Sequence, residues 1–147
     1  MNEAKKAALA AIDEKKDLIA QVADKVWDYA ELSMQEVKSA ALFVKVLKAE
    51  GFQVEEGICN IPTAFSASYG SGKPVIGFLA EYDALSGLSQ AAGSTEYHEL
   101  VKGGSGHGCG HNLLGAGAMA AAIGMKHYLE QTGCPGTVIL YGCPGEE

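Results

Sequence analysis

The sequence predicts an α/β fold in which a helical hairpin is followed by a mixed sheet containing a βαβ unit. Three observations carry that reading. Apolar residues recur at helical spacing through the first third of the chain. Two nearly continuous apolar runs, at 75–80 and 136–142, have the length and composition of buried strands. Between them, a small-residue apolar run beginning at Leu113 and Leu114 has the length of a crossover helix.

In order along the chain, Ala7, Ala8, Ala11, Ile12, Leu18, Ile19, Val22, Val26 and Trp27 predict one long amphipathic helix over about 3–31. Ser33-Met34-Gln35-Glu36 has the S-x-x-E form of a capping box. The pattern Val37, Ala40, Ala41, Val44, Leu47 predicts a second helix, stopped by Gly51. Residues 52–58 read as a half-exposed strand, and 64–69 alternate with period two as a second strand, closed by a turn over 70–74. The run 75–80 predicts a strand buried on both faces, ending on the polar group Glu81-Tyr82-Asp83. Residues 84–106 lack periodicity and predict a long loop with a helical turn near 96–101. A helix from Asn112 or Leu113 to Gln131 follows, with Gly133 at its end, and the strand 136–142 delivers Cys143-Pro144-Gly145-Glu146-Glu147.

The whole chain narrows the function classes. With 147 residues and 48% hydrophobic content it predicts one domain with a real core. A net charge of −7 argues against a nucleic-acid or anionic-membrane surface and leaves divalent cations and small substrates open. No run has signal-peptide or membrane-spanning length, so the expected location is the cytoplasm. The four cysteines, Cys59, Cys109, Cys134 and Cys143, show no C-x-x-C spacing and are expected as reduced thiols.

The stretch with the most chemistry is Gly106-His107-Gly108-Cys109-Gly110-His111-Asn112, where a thiol and an imidazole meet at the start of a helix. A βαβ connection places the ends of its two strands at one edge of the sheet, so Glu81/Asp83, Cys109/His111 and Glu146/Glu147 are expected to converge there. Thiolate, imidazole and carboxylate suit zinc or a similar divalent ion better than calcium or magnesium. A helix N-terminus also favours the Cys109 thiolate, which serves metal binding but equally a rival in which Cys109 is a nucleophile with His111 or His107 as base. A third reading is that the turn only packs. No phosphate-loop spacing fits the glycines. On the metal reading, one of Glu146 and Glu147 ligates while the other works as general base, and Asp83 orients an imidazole or caps its loop. Glu81 has no defined role at this level, and His98 and His127 read as surface residues.

Glu81-Tyr82-Asp83-Ala84-Leu85, 106–115 and 136–147, taken together and in this order, resemble the metal-dependent amidohydrolases of the aminoacylase and carboxypeptidase superfamily. The resemblance implies a three-layer zinc-peptidase-like catalytic domain. It also implies two divalent ions, zinc or manganese, and hydrolysis of the amide of an N-acyl amino acid or small dipeptide. Carried over by position, it makes Cys109, His111 and Glu147 metal ligands, Glu146 the catalytic base and Asp83 an orienting residue. Ser86 stands where these proteins usually have proline. Members are two to three times longer, so residues 1–147 are expected to form the N-terminal part of the catalytic domain. Further histidine ligands and a smaller dimerisation domain would then lie elsewhere, in an enzyme that forms homodimers or hetero-oligomers. By the same token, the 147 residues alone are expected to be a metal-binding or assembling fragment without turnover.

Overall fold

The computed structural model describes residues 2–147. Its elements are α1 (Glu3–Glu14), α2 (Lys16–Tyr29), α3 (Val37–Ala49), β1 (Gln53–Glu56), β2 (Phe65–Ser71), β3 (Val75–Glu81), α4 (His111–Thr132) and β4 (Gly136–Cys143), with a short 3₁₀ turn at Ile58–Asn60. The sheet order is β1-β2-β4-β3. β2 runs antiparallel to β1 and β4, and β3 is parallel to β4 with α4 as the crossover, so the mixed sheet and the βαβ unit are both present.

The expected single N-terminal helix is two. The break falls at Lys15, whose φ and ψ of −97° and 6° leave the helical region, and its N–H bonds back to the carbonyl of Ile12. The surrounding Asp13-Glu14-Lys15-Lys16-Asp17 offers no apolar anchor, so no core packing opposes the bend. Bending there lets Ile12 rest against the backbone of α4 at Gly124.

The expected capping box is also corrected. α3 starts at Val37, and the carboxylate of Glu31 satisfies its free N–H groups, accepting from Lys38 N at 3.0 Å and Ser39 N at 2.9 Å. Ser33 and Glu36 are thereby free for other partners. No helical turn forms near 96–101; that segment is held by an isolated bridge between Gln90 and Glu99 and by the Leu100 N–H bond to the Ser89 carbonyl at 2.7 Å.

Phe65 and Ala67 of β2, Phe78 and Ala80 of β3 and Val138 and Leu140 of β4 point to one face. There they pack with Val22, Val26, Phe43, Leu47, Met119 and Ile123 from the helices. The rings of Phe43, Phe65 and Tyr82 meet at centroid separations of 5.5–6.3 Å, adding aromatic contact to apolar burial. Expected to be buried on both faces, β3 instead lies at the sheet edge, with Val75 56% and Leu79 60% exposed. Alternation puts those two side chains opposite the helices. Among the described residues no helix is long and apolar enough to cross a membrane.

Candidate metal centre

The carboxyl ends of β3 and β4 and the start of α4 meet at one edge. Gly110, with φ of +91°, forms the N-cap of α4 and makes His111 the first helical residue, with Cys109 just outside. A side chain is rarely tolerated at that φ, so glycine lets the chain turn sharply between the two donors. The long loop that precedes them is closed at its base by paired backbone bonds between Leu85 and Gly106, at 2.9 and 3.0 Å.

Three side chains then tie this turn to α2. Ser105 Oγ donates to the carbonyl of Ala30, His107 Nε2 donates to that of Val26 at 2.9 Å, and Asn112 Nδ2 donates to that of Ala23 at 3.3 Å. Residues 23, 26 and 30 are spaced three and four apart, so the acceptors line one face of the helix. His107 also stacks on Trp27. Burial holds its imidazole below the ordinary histidine range, with the Val26 carbonyl pulling the other way. That is a structural post rather than a general base for Cys109.

His111 is at the centre, 3% exposed. Its Nδ1 lies 2.9 Å from Asp83 Oδ1, while Nε2 faces Glu81 Oε2 at 3.2 Å and Glu146 Oε2 at 3.6 Å. Glu147 Oε1 lies 3.8 Å from Nδ1. Asp83 is 1% exposed, and its other oxygen accepts from Ser33 Oγ at 3.2 Å and from the backbone N–H of Glu147 at 2.9 Å. Burial would raise the Asp83 carboxyl, but the N–H groups of Glu147 and of Asp83 itself, together with His111, outweigh it and hold it below the usual aspartate range.

The five site residues expected from the sequence are therefore brought together. Glu146 and Glu147 lie on opposite nitrogens of one ring. Two sets of three donors have ligand atoms within 4.8 Å of one another: Cys109, His111 and Glu147, and Glu81, His111 and Glu146. This donor set fits a borderline-soft divalent ion. The Asp83 bond to Nδ1 leaves Nε2 as the free ligand atom, the arrangement that metal-binding histidines use. All four cysteines are free thiols. The Cys109 thiol is pushed up, first by its hydrogen bond to Glu147, then by burial and by the charges of Glu147, Glu146 and Glu81. The expected thiolate stabilisation by the helix terminus is thus overridden by the surrounding carboxylates.

Other groups bear on this edge in roles that are not legible in the sequence. Glu81 carries no expected role, yet it faces Nε2. Glu36, with 0% exposure, accepts from the backbone N–H of Gly145 at 2.8 Å and from Thr63 Oγ1 at 3.1 Å, fixing the residue before Glu146. The Tyr82 hydroxyl donates to the Thr63 carbonyl at 2.6 Å and continues the network into the core. A glutamate directly before an amphipathic helix is the one signal that could have marked Glu36, and the capping motif hides it. His98 and His127 lie away from this edge, as expected.

No family model matches the sequence. Among curated proteins, the chain is 51% identical over 137 residues to one of the subunits of p-aminobenzoyl-glutamate hydrolase from Escherichia coli K12, a match covering 93% of this chain and 28% of that protein. It is 28% identical over 155 residues to the mouse Xaa-Arg dipeptidase, covering 97% of this chain and 32% of the relative. The chain thus spans about a third or less of the relatives it matches. Among solved structures, a protein of methicillin-resistant Staphylococcus aureus described as an aminohydrolase aligns with a TM-score of 0.77 at 22% identity, over 97% of this chain and 36% of that one. A dinuclear metal binding peptidase from the M20 family of Bacillus subtilis aligns with a TM-score of 0.64 at 23% identity, over 88% and 36%. At such identities the structural matches speak for the fold alone, which is that of these hydrolase domains. The sequence similarity over nearly its whole length places the chain in the amidohydrolase and peptidase family that includes p-aminobenzoyl-glutamate hydrolase.

Proposed function

We propose that residues 1–147 form part of the catalytic domain of a longer, divalent-metal-dependent amidohydrolase. Its substrate would be an N-acyl amino acid or dipeptide, with p-aminobenzoyl-glutamate the first candidate because the 51% identical relative is named for it. The observation that carries the reading is the setting of His111. Asp83 fixes its Nδ1, and its Nε2 opens onto carboxylates beside a thiol. A Cys109 nucleophile is disfavoured by the same carboxylates, which raise the cost of its thiolate.

In this proposal Cys109, His111 and Glu147 hold metal at a two-ion edge, whose mixed donors admit zinc or manganese. Divalent ions bound there would polarise the scissile carbonyl and acidify a water. Glu146, with its side chain about half exposed, reaches toward substrate. It takes a proton from the attacking water and returns it to the leaving amine. Asp83 holds His111 in one tautomer and, through the Glu147 N–H, fixes the backbone beside the base. The Escherichia coli relative is by name a subunit of its hydrolase, which supports assembly with a partner chain; a homodimer is the other arrangement to be tested.

The discriminating experiment is Glu146→Gln in the full-length enzyme. Bound metal should be retained while hydrolysis of p-aminobenzoyl-glutamate and of dipeptides falls by about 10²–10⁴-fold, the usual contribution of a general base. Wild-type turnover in that variant would refute the assignment. The 147 residues alone should bind metal weakly and hydrolyse neither substrate measurably.

A further inference from the structure

Glu81 ends β3, with its side chain 22% exposed and its carboxylate turned into the site. Among the described residues, the one basic side chain within ion-pair distance of it is His111. Asp83 accepts from Nδ1–H, so Nε2 is the ring atom left for a further partner. It faces one carboxylate oxygen at 3.2 Å and another at 3.6 Å. Two carboxylate oxygens turned onto one buried ring nitrogen call for positive charge among them, a proton on the ring or a metal ion.

The spacing suits an ion. With ligand bonds of about 2.1 Å, donors 3.2 Å apart subtend about 100° at a shared metal and donors 3.6 Å apart subtend about 118°. The two values bracket the tetrahedral angle. Glu147 lies on the Nδ1 side of the ring and belongs with Cys109 to the other set of converging donors, which can hold a second ion.

We propose that Glu81 is itself a metal-binding residue, gripping one of the two ions together with Nε2 of His111 while Cys109 and Glu147 grip the other. The inference rests on the metal-hydrolase reading above. It gives Glu146 a place beside the Glu81 ion from which its carboxylate can still face water. The seat of α4 on β3 is tight at this point, where the Glu81 carbonyl lies against Gly115, one turn along the helix from His111. Strand end and helix start are locked together, so the distance between the two donors is fixed by the fold.

The test is a cobalt(II) titration of the full-length enzyme, followed by thiolate-to-metal charge-transfer absorption and by equilibrium dialysis. The absorption band reports the ion on Cys109, and dialysis counts all ions. Wild type should show the band and take up two ions. Glu81→Gln should keep the band, which also shows that the site is folded, and bind the other ion at least tenfold more weakly. Cys109→Ser should lose the band and retain the other ion. Glu55→Gln, a charge change on exposed β1, should behave as wild type. Two ions bound with unchanged affinity by Glu81→Gln would overturn the proposal and leave the metal reading intact, with Glu81 reduced to a counter-charge for protonated His111. No band and no uptake by wild type at millimolar cobalt would overturn both.

Discussion

Replacing Glu36 removes the acceptor that holds the backbone just before Glu146. Its two oxygens take hydrogen bonds from Gly145 N at 2.8 Å and Thr63 Oγ1 at 3.1 Å in a fully buried setting. A hydrogen bond to a charged group contributes about 1.5–3 kcal/mol, so Glu36→Ala should cost roughly 3–5 kcal/mol, a large share of the 5–15 kcal/mol typical of a domain. Glu36→Gln keeps one oxygen for Gly145 N–H, and the Thr63 hydroxyl can turn to accept from the new amide. Only the charge is lost, at a cost of about 1–2 kcal/mol. Urea unfolding followed by circular dichroism measures both, and the ordering is the sharper result. If glutamine were as damaging as alanine, or alanine shifted the midpoint by less than glutamine, the role assigned to this carboxylate would be wrong.

Gly115→Ala should destabilise by about 1–2 kcal/mol. A Cβ there would meet the Glu81 carbonyl oxygen at 2.5 Å and Phe43 Cζ at 3.0 Å, and this overpacking outweighs the gain of about 1 kcal/mol in helix propensity. A thermal midpoint above that of wild type would show that helix and strand have room to separate. His107 should titrate below about 6.5 by imidazole NMR, since burial disfavours its charged form. With the folded value depressed, its contribution to stability is complete above about pH 6.5 and is lost as pH falls through the folded value. His107→Asn should therefore flatten the decline in urea midpoint between pH 7 and pH 5, and an unchanged slope would contradict the argument.

Much of this fold was legible because apolar periodicity and burial coincide along it. α3, α4 and β4 appear within a residue or two of their expected bounds, and the βαβ unit fixed the common edge at which Asp83, Cys109, His111, Glu146 and Glu147 meet. Interactions decided by the folded chain were hidden. Glu31 caps α3 from seven and eight residues away, and Glu36 binds Gly145 across 109 positions, whereas local spacing had suggested a Ser33–Glu36 box. Ser33 instead reaches Asp83, 50 positions away. The break at Lys15 was hidden for a different reason: helix propensity is continuous through a charged run, and packing against α4 decides where it bends. Glu81 was expected at this edge but without a role, because a glutamate after a strand is as easily a solvated end as a ligand.

β3 carries the apolar sequence of an interior strand but sits at the rim of the sheet. Beyond it, among the described residues, no further strand pairs with its outer backbone groups. An apolar rim of this kind is a template for strand addition, the feature that natural sheets usually blunt with charge or proline. For Val75–Glu81, the residue before the run is Pro74, and its last member is Glu81, so the protection is confined to the two ends. The colloidal behaviour of this polypeptide in solution is therefore governed by what covers the uncharged residues between them, more than by its net charge of −7.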